Sequence, residues 1–233
     1  LVKMLGYLWQ DYQFQNGETA RTIKPLPQDI KDLFVELQRK QDIHGKLSIV
    51  GTLKDFPSAD IRYSFLQLVL TALGLPPQYH HFKFVYWAKQ EGIYDDLKNI
   101  IEAQGKDFVK EYENLFVSTA LAKAVLQIKP DFAENEAKVK ENFKINFKRQ
   151  DTISRDQFIN TLKTEVFPLF YGDKIPCTII VLDEVQQFIG QDGNKTIDIQ
   201  NLAQDVCSNF EGKLLLVGTG QNALAETPQL QPL

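Results

Sequence analysis

The 233 residues are expected to fold as an α/β protein, a parallel sheet covered by helices on both faces and interrupted by a large all-helical insertion. Three observations predict this. "CTIIVLD" (Cys177 to Asp183) and "LLLVGTG" (Leu214 to Gly220) are unbroken apolar runs. A strand buried on both faces reads that way, whereas a half-exposed strand alternates. A helical pattern from about Thr196 to Phe210 separates the two runs, which is the strand–helix–strand order of a parallel sheet. The stretch from about Pro76 to Tyr171 shows only helical periodicity.

The elements follow in order. Leu1, Met4, Leu5, Leu8 and Trp9 keep helical spacing and predict a helix over residues 1–14. "QNGETARTIKPLPQ" is a loop punctuated by Asn16-Gly17 and two prolines. Ile30, Leu33, Phe34 and Leu37 predict an amphipathic helix over residues 28–40, and "KLSIVGTL" predicts a strand from Lys46 to Leu53. Pro57-Ser58 then opens a helix from Ala59 to Leu73. Two helices follow with a break at Gly92, then one long pattern from Phe108 to Ile128 ending before Pro130, then a charged helix from Asn135 to Phe147. "SRDQ" fits a capping box opening a helix from Ser154 to Phe170, which Pro168 bends or ends. The expected organisation is core over residues 1–75, insertion over 76–171, and core again over 172–233.

Composition narrows the classes. Hydrophobic residues make up 43% and charged residues 24%, ordinary for a globular protein, and the formal net charge is −4. That balance supplies no global attraction to nucleic acid or anionic lipid, so any such contact must be local. No apolar run approaches the ~20 residues of a membrane span, and "LVKMLGYLWQ" lacks a signal-peptide pattern. A cytoplasmic location without membrane contact is the expectation. Cys177 and Cys207 are expected to be buried free thiols of a reducing compartment.

The chemistry is expected where "IIVL" runs into Asp183 and Glu184. In an open parallel sheet ligands bind beyond the carboxyl ends of the strands, and Thr219 and Gln221 lie at the tip of the next strand. Two carboxylates and two neutral polar side chains there suit nucleotide hydrolysis. Asp183 holds Mg²⁺ directly or through water, Glu184 orients or deprotonates the attacking water, and Thr219 or Gln221 senses the γ-phosphate of ATP. The bland alternative is a chain leaving the core, with Asp183 as a helix cap and Glu184 solvated.

The set resembles the Walker B motif and first sensor strand of P-loop ATPases with a catalytic glutamate, the broad AAA+-containing group. "VLDEVQQFIG", followed by "DIQNLAQDVCSNFEGKLLLVGTGQNAL", more closely resembles the large P-loop ATPases of BREX-type phage-defence systems, the BrxC/PglY group. "KLSIVGTL" with its proline turn is similar to the strand after their nucleotide loop. The resemblance implies an incomplete three-layer P-loop sheet. It also implies ATP and Mg²⁺ as ligands, Asp183 and Glu184 as Walker B, and Thr219 with Gln221 at the sensor position. Self-association or other defence-system proteins are the implied partners, with DNA a further partner of the full-length protein. The departure is the phosphate loop: G-x-x-x-x-G-K-Ser/Thr occurs nowhere in the chain. The expectation is therefore an excerpt whose phosphate loop precedes Leu1, inactive alone and an ATPase in its parent. The alternatives are a nucleotide switch with little hydrolysis and a non-enzymatic helical scaffold. Lys140, Lys144 and Lys148 recur at helical spacing with Arg149 beside them and are read as a solvated face, with DNA phosphate contact as the rival.

Overall fold

The computed structural model describes residues 2–23, 26–190 and 193–220. They form two units: a sheet unit from Leu1–Ala72 and Thr152–Leu233, and a helical unit, Leu73–Asp151. The sheet unit begins with α1 (Val2–Gln10), α2 (Gln28–His44), β1 (Lys46–Gly51) and α3 (Ile61–Ala72). The helical unit holds α4 (Tyr79–Gln90), α5 (Tyr94–Ala103), α6 (Phe108–Glu113), α7 (Thr119–Ile128) and α8 (Glu136–Asn146). The chain returns to the sheet unit with α9 (Arg155–Asn160), α10 (Pro168–Tyr171), β2 (Cys177–Leu182), α11 (Val185–Ile189), α12 (Gly193–Asn209) and β3 (Leu214–Gly218).

The strands form one parallel sheet in the order β1-β2-β3. All six residues of β2 are buried, as its unbroken apolar run requires. Lys46 pairs with Cys177, and Gly51, Leu182 and Gly218 share one level at the carboxyl end. Helices close in on this sheet where glycine permits. A Cβ at Gly6 would collide with the Ser48 hydroxyl, and one at Gly51 would lie 2.5 Å from Leu68. Gly6 brings α1 onto β1, and Gly51 brings α3 onto its tip. Trp9 Nε1 donates to the Cys177 carbonyl at 2.9 Å. Arg21 gathers the last carbonyls of α1, donating to Leu8 and Trp9 at 2.8 Å each, where a cation also opposes the helix dipole.

Several boundaries differ from expectation for physical reasons. The first helix stops at Gln10, and Gln13 forms an isolated bridge with Thr19 instead. The first strand ends at Gly51, because the Thr52 hydroxyl caps a short 3₁₀ turn at Leu53–Asp55. The periodic stretch from Phe108 to Ile128 is two helices. Ser118 caps the second by accepting from the Leu121 amide at 2.9 Å, a local bond that periodicity does not reveal. Ile30 and Leu33 stay exposed. Cys207 is exposed, unlike Cys177, because it lies on the outer face of α12. The helical unit ends at Asp151, not 171, since Phe158 packs edge-to-face on Phe65 and Phe167 on Phe210 within the sheet unit. Ser154 caps α9 through the Gln157 amide. Pro168 lacks the N–H that would continue the ladder, and the chain takes a π-helical turn over Thr161–Val166, with the Phe167 amide donating to the Leu162 carbonyl. No helix among the described residues is long and apolar enough to cross a membrane.

One buried charge ties the sheet unit together. Asp205, 4% exposed, accepts from Arg62 Nε at 2.8 Å and Arg155 Nε at 2.5 Å. Asp205→Ala leaves the half-buried Arg62 without its carboxylate, and a loss of about 2 kcal/mol is expected in urea unfolding of this unit. In the helical unit, burial, the neighbouring His81 and Arg149 push His80 down to about 4. Burial also lowers His81. An unfolded histidine titrates near 6.5, so the unfolded chain binds more protons between about pH 6.5 and 4. Stability is therefore full above pH 6.5 and falls as the pH drops through that window. His80→Phe is expected to flatten the fall in a pH series of melting temperatures.

Candidate functional site

The register brings the site together. Gly51, Leu182 and Gly218 are level, so Thr52, Asp183 and Thr219 leave the sheet side by side. The ladder continues one step further through the Asp183 amide to the Gly51 carbonyl (2.8 Å) and the Thr219 amide to the Leu182 carbonyl (2.9 Å). Asp183 and Thr219 meet directly: the Thr219 hydroxyl donates to Asp183 Oδ1 at 2.6 Å. The Glu184 amide donates to the same oxygen at 3.0 Å. Asp183 Oδ2 accepts no hydrogen bond among the described residues and remains available to a cation. Gln221 lies outside the described residues.

Glu184 holds left-handed backbone, φ 55° and ψ 39°, which costs a residue with a Cβ about 1–2 kcal/mol. The conformation turns the chain sharply from β2 into α11. The Val185 amide donates back to the Thr219 carbonyl at 3.0 Å, so two backbone bonds and one side-chain bond fasten the β2 and β3 tips. Strain held at a strand tip by surrounding bonds is what functional sites commonly display.

Of the two glycines beside Thr219, Gly220 is the crowded one. A Cβ at Gly220 would strike the Gln186 amide oxygen, and one at Gly218 would lie 3.4 Å from Val185. Gln186 and Gln187 carried no mechanism in sequence. In the structure Gln186 fits against Gly220, and Gln187 accepts a hydrogen bond from Lys54 in the turn after β1. Lys54 and Thr52 are the site residues that sequence reasoning missed. Lys54 follows a strand with no motif around it, and only the pairing of β1 with β2 carries it to Gln187.

The loops after β1 and β2 also enclose a cleft of about 440 Å³, lined in part by Lys54, Ser58, Gln187, Phe188 and Lys195. Lys195 Nζ donates to the Phe188 carbonyl at 3.1 Å. A larger cleft, about 610 Å³, includes Arg21, Phe34 and Lys46. It lies at the amino end of β1, where Arg21 serves α1, and contains none of the strand-tip residues.

The donor set suits a hard divalent cation in one respect. Asp183 offers a carboxylate oxygen and Thr219 a neighbouring hydroxyl, and Mg²⁺ is commonly held by one or two carboxylates with waters and substrate phosphates. Among the described residues no three His, Cys, Asp or Glu side chains gather into a complete protein cage.

Thr219→Val removes the hydroxyl while keeping shape. A loss of about 1–2 kcal/mol is expected, and Thr219→Ser should recover most of it. A double-mutant cycle with Asp183→Asn checks that the loss arises at this pair, through a coupling energy of about 1 kcal/mol. No family model, curated protein or solved structure matches the chain, so a function has to be argued from this strand-tip geometry.

Proposed function

We propose that the sheet unit is the Walker B and sensor part of an ATP-binding and hydrolysing P-loop protein. The observation that carries this reading is the 2.6 Å bond from Thr219 to Asp183 at the carboxyl ends of adjacent parallel strands. A structural cap for a chain leaving the core needs no partner on the neighbouring strand. A site that reports the state of a bound nucleotide does.

On this reading Asp183 holds Mg²⁺ through its free oxygen, and the metal supplies charge neutralisation at the triphosphate. Thr219 keeps the carboxylate oriented and relays its position to β3. Glu184 is the base that orients or deprotonates the attacking water. Its left-handed turn starts the chain in a new direction right after Asp183. The glycine-rich loop and lysine that cradle the phosphates come from residues outside these 233. The outer edge of β3 supports such an addition: among the described residues it pairs only with β2, and Leu215 is 48% exposed there. An uncovered apolar edge is a liability that a further strand removes. The resemblance of "VLDEVQQFIG" and "GKLLLVGTGQ" to the BREX-type ATPases supports phage defence as the setting.

The test uses the protein that carries this chain. Glu184→Gln is expected to lower steady-state ATP turnover about 10²- to 10⁴-fold while ATP still raises the melting temperature. Asp183→Asn is expected to weaken the Mg²⁺-dependent part of that rise. Unchanged turnover in Glu184→Gln points to a switch that hydrolyses little. No ATP-dependent rise in the parent protein leaves a structural sheet and overturns the reading.

A further inference from the structure

The helical unit carries a second surface that the strand-tip site does not use. Its charges are balanced until the end of α8, where residues 142–150 contain Lys144, Lys148 and Arg149 and no carboxylate. The other basic residues of α8 are engaged: Lys138 pairs with Glu141 at 2.8 Å, and Lys140 donates to the Thr119 hydroxyl at 2.7 Å. Lys144 and Lys148 hold no hydrogen bond or ion pair with a described residue. Both are exposed, and so is Arg149. The carboxylate closest to Lys144 along the helix, Glu141, is already held by Lys138.

These cations surround an aromatic ring. Phe116, Lys144, Lys148 and Arg149 line a cleft of about 540 Å³. Phe116 is half-buried, and the Arg149 guanidinium lies 5.2 Å from its ring centre. His80 stacks on the same ring, with centres 5.6 Å apart and planes 12° from parallel. His80 is only 8% exposed, and its Nδ1 is buried without a hydrogen-bond partner. Burial keeps His80 uncharged at neutral pH, so it supports Phe116 as an apolar ring and adds no charge. The ring is thus fixed in place before any ligand arrives, beside three exposed cations.

We infer that the Phe116–Arg149 cleft of the helical unit is a binding surface for single-stranded nucleic acid. Lys144, on the last turn of α8, and Lys148, two residues past its end, line the same cleft and meet backbone phosphates as point charges. Arg149 and Phe116 together offer the flat cationic and aromatic surface on which an unpaired base stacks. A phosphopeptide would use the lysines but has no general need of the ring. With a net charge of −4 the chain gives no diffuse attraction, so binding depends on this cluster.

The test is fluorescence anisotropy of a labelled oligothymidylate with the 233-residue chain, titrated across a salt series. Binding that weakens steeply with salt is expected. Lys144→Ala with Lys148→Ala and Arg149→Ala should lower affinity at least about tenfold and reduce the slope of log K against log salt by about 2. Phe116→Leu should weaken binding about tenfold with the slope unchanged. All three cations are exposed, and an unchanged melting temperature checks that folding is intact. Lys144→Ala with Lys148→Ala alone provides a milder variant, expected to reduce the slope by about 1. Oligothymidylate binding that is absent, or unaffected by these substitutions, overturns the inference. So does inorganic polyphosphate competing as well as the oligonucleotide, or a phosphoserine peptide competing better.

Discussion

The sheet unit depends on the complete burial of β2. All six residues from Cys177 to Leu182 are buried, so every backbone N–H and C=O of the strand has to find a partner inside the protein. β1 supplies one edge and β3 the other, both in parallel. Even the one polar side chain of the strand obeys the rule: the Thr178 hydroxyl donates to the Pro176 carbonyl at 2.9 Å. A strand held on both edges cannot slip in register without exposing its apolar side chains or breaking two ladders. The level at which Asp183 emerges is therefore fixed together with the levels of Thr52 and Thr219.

Close packing then converts register into a site. Asp183 is the first polar group past the buried run, and Thr219 is the first polar side chain past β3. The left-handed turn at Glu184 sends α11 back across the strand tips, which presses Val185 and Gln186 against Gly218 and Gly220. A side chain at Gly220 would displace the Gln186 amide, while Gly218 leaves Val185 at ordinary contact distance.

The helical unit follows a different logic. Its interior is aromatic: Phe84, Trp87, Phe132, Phe143 and Phe147 contact one another at ring distances of 5.3 to 6.3 Å, mostly tilted or edge-on. Large rings bury much area per residue and lock in few orientations, which lets short helices form a stable body. That core fixes the outer residues of α8. The difference between Lys138, which is paired, and Lys144, which is not, arises from the position of each along one short helix.

Much of this was legible in the chain. The unbroken run at "CTIIVL" required a covered parallel strand, whereas "LLLVG" reads the same way and is only partly buried; the Ser154 cap stands where "SRDQ" predicts it. Asp183 and Thr219 could be named together because adjacent strands of a parallel unit end on the same side. Other features were not legible. Ser118 splits a periodic stretch through a single local hydrogen bond, and Ile30 with Leu33 keep helical spacing yet stay exposed. Sequence periodicity records which residues are apolar, not whether a neighbour arrives to cover them.

By itself the sequence determined that the chain builds a parallel sheet with helices against it, because an apolar run without alternation is stable only when covered on both faces. It also determined where the first charge appears. Tertiary structure alone decided that Lys54 reaches Gln187, that Gln186 fits against Gly220, and that Phe116 stands between His80 and Arg149. These partners are separated along the chain by loops and whole helices. Their meeting is set by strand register and helix packing, which no local pattern encodes.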